Sequence, residues 1–436
     1  MNKTIIGSGL AGPLLSILLA KHGFWIDLFE KRSDPRRETL SAGRSINLAL
    51  SHRGIEALKS AGIFDQVEPL LIPMHGRMIH NADGKLNFQP YSMDKSEHIN
   101  SVSRAELNKI LMTAAEDSKS VNIHFSHSLS NIHENHLVFE NGNRVKIESQ
   151  IFAADGAGSI IRKHIDANCS TPSITKPLGH GYKELTISPN PKGEFKMDSN
   201  SLHIWPRGDF MLIALPNIDK SFTCTLFMPN AGEVSFDSLA SETDVLHFFK
   251  TYFQDALPLL ENFPQSFFQN PTGKLATVYA QTWFDENFCL LGDAAHAIVP
   301  FFGQGMNASF EDCNVIMDCI KKGNNNWPQI FSSYNKLRKP DADAIADMAI
   351  ENYIEMRDSV LRSDYISQKK IANLLFSKFP NMFIPRYNMV SFTSIPYNEV
   401  YARAKIQQDI ISELDPDNID IKKAERLIYD RLTFLS

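Results

Sequence analysis

The sequence has few of the features that mark secreted, metal-binding or membrane-spanning proteins. Its five cysteines form no Cys-x-x-Cys pair and no metal-ligand spacing, so we expect free thiols in a reducing compartment. No uninterrupted apolar run approaches the roughly 20 residues that cross a bilayer. The net charge of −6 argues against general binding of nucleic acid. With 436 residues, 43% of them hydrophobic, the chain is long enough for two or three domains that serve a small ligand.

Glycine is concentrated near the start of the chain in a Gly-x-Gly-x-x-Gly pattern. The pattern follows an apolar run, residues 3–6, that predicts a strand, and precedes residues 13–20, which predict a helix. Gly7 permits a tight turn, Gly9 lets the backbone approach a pyrophosphate, and Gly12 allows close helix packing. The phosphate would then meet the positive end of the helix. This pattern predicts a dinucleotide site.

Glu30 ends the next predicted strand, residues 24–29, and lies eighteen residues after Gly12. A carboxylate at about this spacing accepts hydrogen bonds from ribose hydroxyls. The alternative for the apolar N-terminal residues is a secretory signal peptide, but no small-x-small cleavage site follows Leu18-Leu19-Ala20. If the segment were a signal peptide, the spacing of the three glycines and Glu30 would be a coincidence.

Two further glycine–acid segments come later in the chain. Asp155-Gly156 follows the predicted strand 151–154, and Gly292-Asp293 follows the predicted strand 288–291. An aspartate after a strand can bind a ribityl hydroxyl, while Gly303 and Gly305 let backbone N–H groups approach a flat ring. A helix starting near residue 306 would direct its positive end at that ring. Three segments in this order predict a flavin dinucleotide, although a lone Asp-Gly is usually only a turn.

His296 stands beside the third segment. It is either a proton donor or, more simply, a histidine whose ring binds the loop backbone.

The region 181–229 is rich in short apolar runs and predicts an antiparallel sheet. The predicted strands are Tyr182–Ile187, Leu202–Trp205, Phe210–Leu215 and Phe222–Met228. Because side chains alternate along a strand, Met211, Ile213 and Leu215 share one face. With Thr225 and Phe227 on the next strand, they either line an apolar pocket or pack in an ordinary core.

The order of these segments predicts an α/β fold. We expect a discontinuous Rossmann-like FAD-binding domain, an antiparallel β-sheet substrate domain inserted into it, and a helical C-terminal region. The predicted ranges are 1–75, 100–178 and 272–330 for the FAD-binding domain, 76–99 and 179–271 for the substrate domain, and 331–436 for the C-terminal region.

The motifs resemble those of a known enzyme family. Residues 155–162 match the Asp-Gly motif of flavoprotein hydroxylases, and residues 43–54 resemble the signature of kynurenine 3-monooxygenases. Further similar stretches, spread from residue 4 to about 400, are residues 101–104, 202–207, 300–307 and 352–357. The resemblance implies a FAD-binding domain like that of para-hydroxybenzoate hydroxylase.

The resemblance also implies which residues contact the flavin nucleotide. It adds Ala11, Ala49, Arg104, Leu129, Met306 and Asn307 to the glycine–acid segments. The full set of expected FAD-binding residues is Gly7, Gly9, Ala11, Gly12, Glu30, Lys31, Arg32, Ala49, Arg104, Leu129, Asp155, Gly156, Gly292, Asp293, Gly303, Gly305, Met306 and Asn307.

The substrate positions implied by the resemblance are Arg77, Tyr91, Asn352 and Tyr387. An arginine fork and a tyrosine hydroxyl suit the carboxylate of an amino acid. Without the resemblance, Arg77 would be a surface arginine and the tyrosines core aromatics. The other expected substrate residues are Glu355, which would meet the substrate ammonium, Met356, and a dry wall of Pro300, Phe301, Met211, Ile213, Leu215, Thr225 and Phe227.

The implied activity is hydroxylation of L-kynurenine to 3-hydroxy-L-kynurenine with FAD, NADPH and O₂. The reagent would be a C4a-hydroperoxide of the flavin, so no catalytic side chain and no metal is required. Two alternatives remain: a hydroxylase of another anthranilate-like or phenolic substrate, and a non-catalytic protein-binding fold similar to Rab GDP-dissociation inhibitors. A panel of substrates, each scored by how far it stimulates NADPH oxidation, distinguishes the first alternative from a kynurenine hydroxylase. Absence of a flavin absorbance band after FAD is added would favour the second alternative.

The chain departs from the animal and fungal enzymes of this family, which continue into a hydrophobic membrane-docking segment. Residues 401–436 carry acidic and basic residues throughout. We therefore expect a soluble cytoplasmic protein without a membrane anchor that binds L-kynurenine and no nucleic acid, and for which a homodimer is one option.

Overall fold

A computed structural model describes residues 2–37, 47–357 and 363–435. Residues 43–46 of the kynurenine 3-monooxygenase signature lie outside these ranges. In chain order the described strands are β1 (Asn2–Ile6), β2 (Trp25–Phe29), β3 (Asn47–Leu50), β4 (Ile72–Met74), β5 (Gly76–His80), β6 (Leu86–Pro90), β7 (Ile99–Ser103), β8 (Val121–His124), β9 (Leu129–His133), β10 (His136–Phe139), β11 (Arg144–Lys146), β12 (Ile151–Ala153), β13 (Ile174–Ile187), β14 (Ser201–Arg207), β15 (Phe210–Pro216), β16 (Phe222–Pro229), β17 (Thr272–Tyr279), β18 (Phe284–Asp285) and β19 (Phe288–Leu290).

The described α-helices are α1 (Ala11–Lys21), α2 (His52–Ala61), α3 (Phe64–Val67), α4 (Arg104–Asp117), α5 (Ile160–Ala167), α6 (Glu242–Tyr252), α7 (Gln265–Gln269), α8 (Asp293–His296), α9 (Gly305–Lys322), α10 (Trp327–Arg357), α11 (Ser363–Lys378), α12 (Arg386–Phe392), α13 (Tyr397–Ser412) and α14 (Ile421–Arg431). Short 3₁₀ turns occur at Glu68–Leu70, Phe236–Ser238, Leu257–Leu259 and Pro300–Phe302.

The first sheet has the order β18-β19-β12-β1-β2-β8, and its inner strands are parallel. In its centre Ile5 lies opposite Leu28 on one side and Phe152 on the other. Parallel strands buried on both faces are typical of nucleotide-binding folds, in which ligands meet the carboxyl ends of the strands. The strands predicted at residues 3–6, 24–29, 151–154 and 288–291 are confirmed, and the helix predicted at 13–20 is α1.

The second sheet has the order β17-β13-β16-β15-β14-β5-β6. The strands predicted between residues 182 and 228 are confirmed, and their antiparallel pairing is correct for β13, β16, β15 and β14. The predicted antiparallel sheet also contains a parallel pair, because β5 and β14 run parallel. A long excursion of the chain through the first sheet separates these two strands, and parallel neighbours need such a crossover.

The rest of the described chain packs helices against the second sheet. The hydrophobic cluster on one face of this sheet includes Met211, Phe227, Ile345 and Tyr353, which joins the sheet to α10. The opposite face packs against α6. The boundary predicted at residue 330 falls inside α10, and the division into domains stays a prediction. Substrate residues from the sheet and from the C-terminal helices are thereby brought to one interface.

The described cysteines all carry free thiols, and four of them are buried. Across residues 2–37, 47–357 and 363–435, no helix combines the length and the apolar character that crossing a membrane requires.

Candidate active site

The first glycine segment forms the turn between β1 and α1. Gly7 has φ +101°, and a Cβ there would lie 2.3 Å from the carbonyl oxygen of Ala154. A Cβ on Gly12 would lie 2.0 Å from the carbonyl oxygen of Gly7. Gly9 faces open space, and a Cβ on it would have no neighbour within 4 Å. Two glycines therefore permit the close backbone packing, and the third leaves room beside the N-terminus of α1.

Glu30 follows β2 and is almost completely buried. Its carboxylate accepts the Ser8 N–H at 2.8 Å, the Arg32 N–H at 3.0 Å and the Arg32 Nε–H at 2.8 Å. Burial alone would raise the pKa of Glu30, but the hydrogen bonds and charge of Arg32 lower it below its usual value. Glu30 is thus held as a carboxylate beside the glycine turn, as a ribose acceptor requires.

The second segment lies against the first and third. Asp155 accepts the Ile160 N–H at 2.9 Å through Oδ2, while its Oδ1 has no hydrogen-bond partner. Burial raises the pKa of Asp155. Arg162, on α5, donates to the carbonyl oxygen of Ala294 at 2.7 Å, which ties this segment to the third one.

The third segment is held by a carboxylate of α9. Asp312 accepts the Gly292 N–H at 2.9 Å, His296 Nε2–H at 2.5 Å and Arg338 Nε–H at 2.8 Å. The expectation that the His296 ring binds the loop backbone was wrong, because α9 passes beneath the loop and presents Asp312 to it. Burial raises the pKa of Asp293, which stands at the start of α8 in the same loop.

Asn307, near the start of α9, connects three backbone segments. Its Nδ2 donates to the carbonyl oxygens of Ala49 and Gly303 at 2.8 Å and 2.9 Å, and its Oδ1 accepts the Ser51 N–H at 2.9 Å. The side chain is fully buried. Asn307 therefore positions Ala49 and Gly303 at the cavity wall and does not form part of the wall itself.

The three segments open on one large cavity of about 890 Å³, called here the inner cavity. Most of the expected FAD-binding residues line it; Gly12, Gly292 and Asn307 lie behind its wall. The lining residues of this set are Gly7, Gly9, Ala11, Glu30, Lys31, Arg32, Ala49, Arg104, Leu129, Asp155, Gly156, Asp293, Gly303, Gly305 and Met306.

The inner cavity continues from these loops to the second sheet and α10. The expected substrate residues that line it are Arg77, Tyr91, Met211, Ile213, Leu215, Thr225, Phe227, Pro300, Phe301, Met356 and Tyr387. The five strand residues Met211, Ile213, Leu215, Thr225 and Phe227 thus line the cavity, while Met211 and Phe227 also pack in the hydrophobic cluster beside α10. Phe301 packs edge-on against Phe227, with ring centroids 4.9 Å apart, and stacks on Tyr353 at 3.8 Å. This end of the cavity is apolar and aromatic.

Arg77 stands at the end of the cavity with two aromatic neighbours. Tyr91 and Tyr387 stack with centroids 4.7 Å apart, and the Arg77 guanidinium lies 5.1 Å from the Tyr387 ring. Arg77 is 5% exposed, and neither its Nε nor the Tyr91 hydroxyl has a partner with hydrogen-bond geometry. A buried arginine with an unused N–H donor has the charge and the geometry to bind a carboxylate.

Asn352 and Glu355 do not line the inner cavity. They line a second cavity of about 500 Å³, called here the outer cavity, which shares Arg77, Tyr91, Phe302 and Tyr387 with the inner one. Asn352 donates to the carbonyl oxygen of Phe301 at 2.7 Å, so it fixes the wall between the cavities. Glu355 Oε1 lies 3.6 Å from Arg77 Nη1 and accepts the Tyr365 hydroxyl at 2.6 Å.

Several wall residues were not expected from the sequence. Phe302 belongs to the same motif as Phe301, so comparison of that motif with the family could have identified it as a wall residue. Tyr182 and Glu184 alternate on β13 and both line the inner cavity, so period-two alternation carried a signal for them. His127 lies between β8 and β9 and also lines the cavity, and no pattern in the sequence marked it.

The inner cavity fits a flavin dinucleotide. The N-termini of α1 and α9 point positive dipole ends toward it, and Glu30 is an ionised acceptor near the first of them. The unpartnered Oδ1 of Asp155 and the unpartnered hydroxyl of Ser8 are buried polar atoms of the surrounding loops. The residues present thus provide backbone donors and carboxylate acceptors suited to pyrophosphate, ribose and ribityl groups.

Comparison with known proteins agrees with this arrangement. A family model described as FAD binding domain matches residues 2–349. Kynurenine 3-monooxygenase from Myxococcus xanthus (strain DK1622) is 45% identical, covering 99% of this chain and 95% of that protein. The enzyme of the same name from Sus scrofa is 44% identical, covering 94% of this chain and 87% of that protein.

Solved structures show the same fold at low sequence identity. A tetrameric form of 2-methyl-3-hydroxypyridine-5-carboxylic acid oxygenase has a TM-score of 0.67 at 18% identity, covering 84% of this chain and 95% of that one. Pseudomonas aeruginosa PqsL in complex with 2-aminobenzoylacetate has a TM-score of 0.67 at 16% identity, covering 82% of this chain and 97% of that one. Because curated relatives match at 40–45% identity over nearly the whole chain, this protein belongs to the kynurenine 3-monooxygenase family of FAD-dependent monooxygenases.

Proposed function

We propose that this protein hydroxylates L-kynurenine to 3-hydroxy-L-kynurenine, consuming NADPH and O₂ with FAD as cofactor. The observation that carries the proposal is a single cavity that joins the three glycine–acid loops to the buried Arg77 across an apolar wall. An aromatic amino acid needs one charged anchor and one dry, flat space, and the two ends of this cavity provide them.

Arg77 and the hydroxyls of Tyr91 and Tyr387 are the proposed anchor for the substrate carboxylate. The guanidinium fork keeps its charge at all physiological pH values and presents parallel N–H donors. Burial raises the pKa of Tyr387 well above its usual value, so the hydroxyl stays protonated and can donate. The carboxylate would thereby be fixed beside the stacked pair Tyr91 and Tyr387.

The apolar wall is proposed to orient the ring and exclude water. Met211, Ile213 and Phe227 cover one side of the space, and Phe301 closes it next to the loop before α9. Dry surroundings matter because water near the reacting centre diverts the reaction to hydrogen peroxide. Bound FAD would supply electron transfer from NADPH and activation of O₂. The residues of the chain would orient the substrate, shape the cavity and provide its electrostatic field.

The aromatic amino group of the substrate activates the neighbouring ring carbon by itself. The proposed role of the protein is therefore to hold that carbon toward the cofactor end of the cavity. Glu355 pairs with Arg77 from the outer cavity: burial alone would raise the pKa of Glu355, but Arg77 and Arg386 lower it, so it stays ionised. A homodimer and a cytoplasmic location stay predictions.

The test uses the purified holoenzyme with NADPH and oxygen-18 gas. L-kynurenine should accelerate NADPH loss and yield a product that carries one labelled oxygen atom. Anthranilate, which has the arylamine but lacks the amino-acid side chain, should give much weaker stimulation, because its carboxylate is attached directly to the ring and cannot be placed at Arg77 independently of the ring. If L-kynurenine leaves NADPH oxidation unchanged, or if the product lacks the label, the proposal is wrong.

A further inference from the structure

The outer cavity leads from the back of Arg77 toward the surface. Its inner end is the shared wall of Arg77, Tyr91, Phe302 and Tyr387. Its far end includes the exposed side chains of Lys405 and Gln408 on α13. The outer cavity therefore extends from Arg77 in the shared wall to exposed side chains of α13, and residues of α10 and α11 also line it.

Most charges in the outer cavity are already paired. Arg386 forms ion pairs with Glu351 and, at 3.4 Å, with Glu355. Tyr401 donates to Glu351 at 2.8 Å, and Tyr365 donates to Glu355 at 2.6 Å. The two carboxylates thus hold partners of their own.

Lys369 on α11 is not paired in this way. Its ammonium contacts the amide oxygen of Gln89 at 3.5 Å, and among the described residues no carboxylate lies within ion-pair distance of it. Burial lowers the pKa of Lys369 to about 8, an effect that the Arg77 charge increases and Glu355 opposes. A desolvated ammonium with only a neutral partner gains from an anion that enters the cavity.

The remaining walls suit a flat ring. Tyr365 and Phe383 line the outer cavity, and the stacked pair Tyr91 and Tyr387 separates it from the inner one. A ligand with one carboxylate and one aromatic ring matches both the unpaired cation and these faces.

We propose that the outer cavity is a first binding site for an aromatic α-amino acid, in which Lys369 holds the carboxylate before Arg77 receives it. This inference rests on the proposed function, since the ligand is the substrate of that reaction. The substrate carboxylate then binds two cations in succession, first Lys369 and then Arg77. Glu355 keeps Arg386 and Tyr365 as partners when the incoming carboxylate takes Arg77.

The experiment measures L-kynurenine binding to the holoenzyme by stopped-flow flavin absorbance, together with steady-state kcat and KM. Lys369→Met removes the charge and keeps the length of the side chain, and Lys369→Arg restores the charge. The matched control is Lys370→Met, the next residue on α11, whose side chain is exposed. All variants are checked for FAD content and melting temperature.

We expect K369M to lower the association rate constant and kcat/KM about tenfold, with kcat at saturating substrate changed less than twofold. K369R should recover most of the loss, and K370M should match wild type. The inference would be overturned if K369M and wild type had equal association rate constants, or if K369R did not restore the rate lost in K369M. Either result would leave the proposed function intact. If wild type itself fails to bind L-kynurenine, the proposed function is wrong, and the inference falls with it.

Discussion

The two ends of the inner cavity are built in different ways. The cofactor end consists of three short loops, each at the carboxyl end of a strand of the first sheet, and much of its geometry is backbone. The substrate end is assembled from side chains of β5, β15, β16, α10 and α12, which are far apart in the chain. Local sequence determines the first end, whereas tertiary packing determines the second.

This difference affects how each end tolerates change. At Gly7 and Gly12 the backbone packing leaves no spare space, so a single added methyl group there displaces main chain. At the substrate end, one side chain can be replaced while the surrounding sheet and helices stay in place. We therefore expect substitutions at the cofactor end to affect folding and FAD together, and those at the substrate end to affect substrate alone.

Gly12→Ala tests the close backbone packing of the cofactor end. The added Cβ would meet the Gly7 carbonyl oxygen at 2.0 Å, and neither group can move without displacing β1 or α1. We expect protein that purifies without flavin and loses about 1–3 kcal/mol or more of unfolding free energy. Flavin absorbance and thermal melting measure both effects. The control is Gly158→Ala, where a Cβ meets nothing within 4 Å, and it should melt like wild type without ligand.

Asp312→Asn removes the carboxylate that holds the third loop. The variant removes the charged partner of the buried His296 and one of the carboxylates that pair with the buried Arg338, which keeps Glu311 and Asp341. Breaking a buried pair costs about 3–5 kcal/mol. Asp341→Asn is the matched control, because Asp341 pairs with Arg338 at 3.2 Å but makes no bond to Gly292.

Melting curves and FAD titrations distinguish the two variants. Both should lose stability, and only Asp312→Asn should bind FAD more weakly. Equal FAD affinity in both variants would show that the Gly292 hydrogen bond does not position the cofactor loop.

The cofactor loops were predictable because glycine, acid and strand follow one another within a few residues. Gly7 and Gly12 had to be glycine, and the structure shows the close contacts that require it. The network behind them was not predictable in the same way. Asp312 follows Gly292 by twenty residues in sequence, and only the packing of α9 under the loop brings its carboxylate to the Gly292 N–H.

At the substrate end, residue types were easier to predict than positions. The resemblance identified Asn352 and Glu355, but the rotation of α10 against the second sheet places both on the outer cavity. The parallel pairing of β5 and β14 depends on strands separated by more than a hundred residues, which no local pattern specifies. Lys369 belongs to no motif, and its isolation from carboxylates is a property of the packed helices.

Arg77→Met tests whether substrate binding can be lost while FAD binding is kept. Loss of a buried charge-assisted hydrogen-bond donor costs about 1.5–3 kcal/mol per bond, so we expect L-kynurenine affinity to fall about 100-fold. FAD content should stay at the wild-type level. Arg77→Lys keeps the charge but loses the fork, and an intermediate affinity is expected. Loss of flavin in Arg77→Met would contradict the division between the two ends.

The smallest expected effect is a pH dependence at the outer cavity. Lys369 faces Gln89 of β6, Arg77 of β5 and Glu355 of α10, and its pKa of about 8 makes it charged below and neutral above that pH. Because the carboxylate of L-kynurenine stays ionised throughout, its attraction to Lys369 is present at pH 7 and is lost as pH rises through about 8.

The matching measurement is kcat/KM for L-kynurenine between pH 6.5 and 9.5, in wild type and in Lys369→Met. The ratio of the two values should fall from about tenfold toward unity as the pH rises through about 8. Titration of the substrate ammonium and of the remaining active-site groups cancels in this ratio, so the step reports Lys369. A ratio that stays constant across the range would mean that the charge of Lys369 does not act on the substrate, and it would leave Arg77 as the cation that receives the carboxylate from solvent.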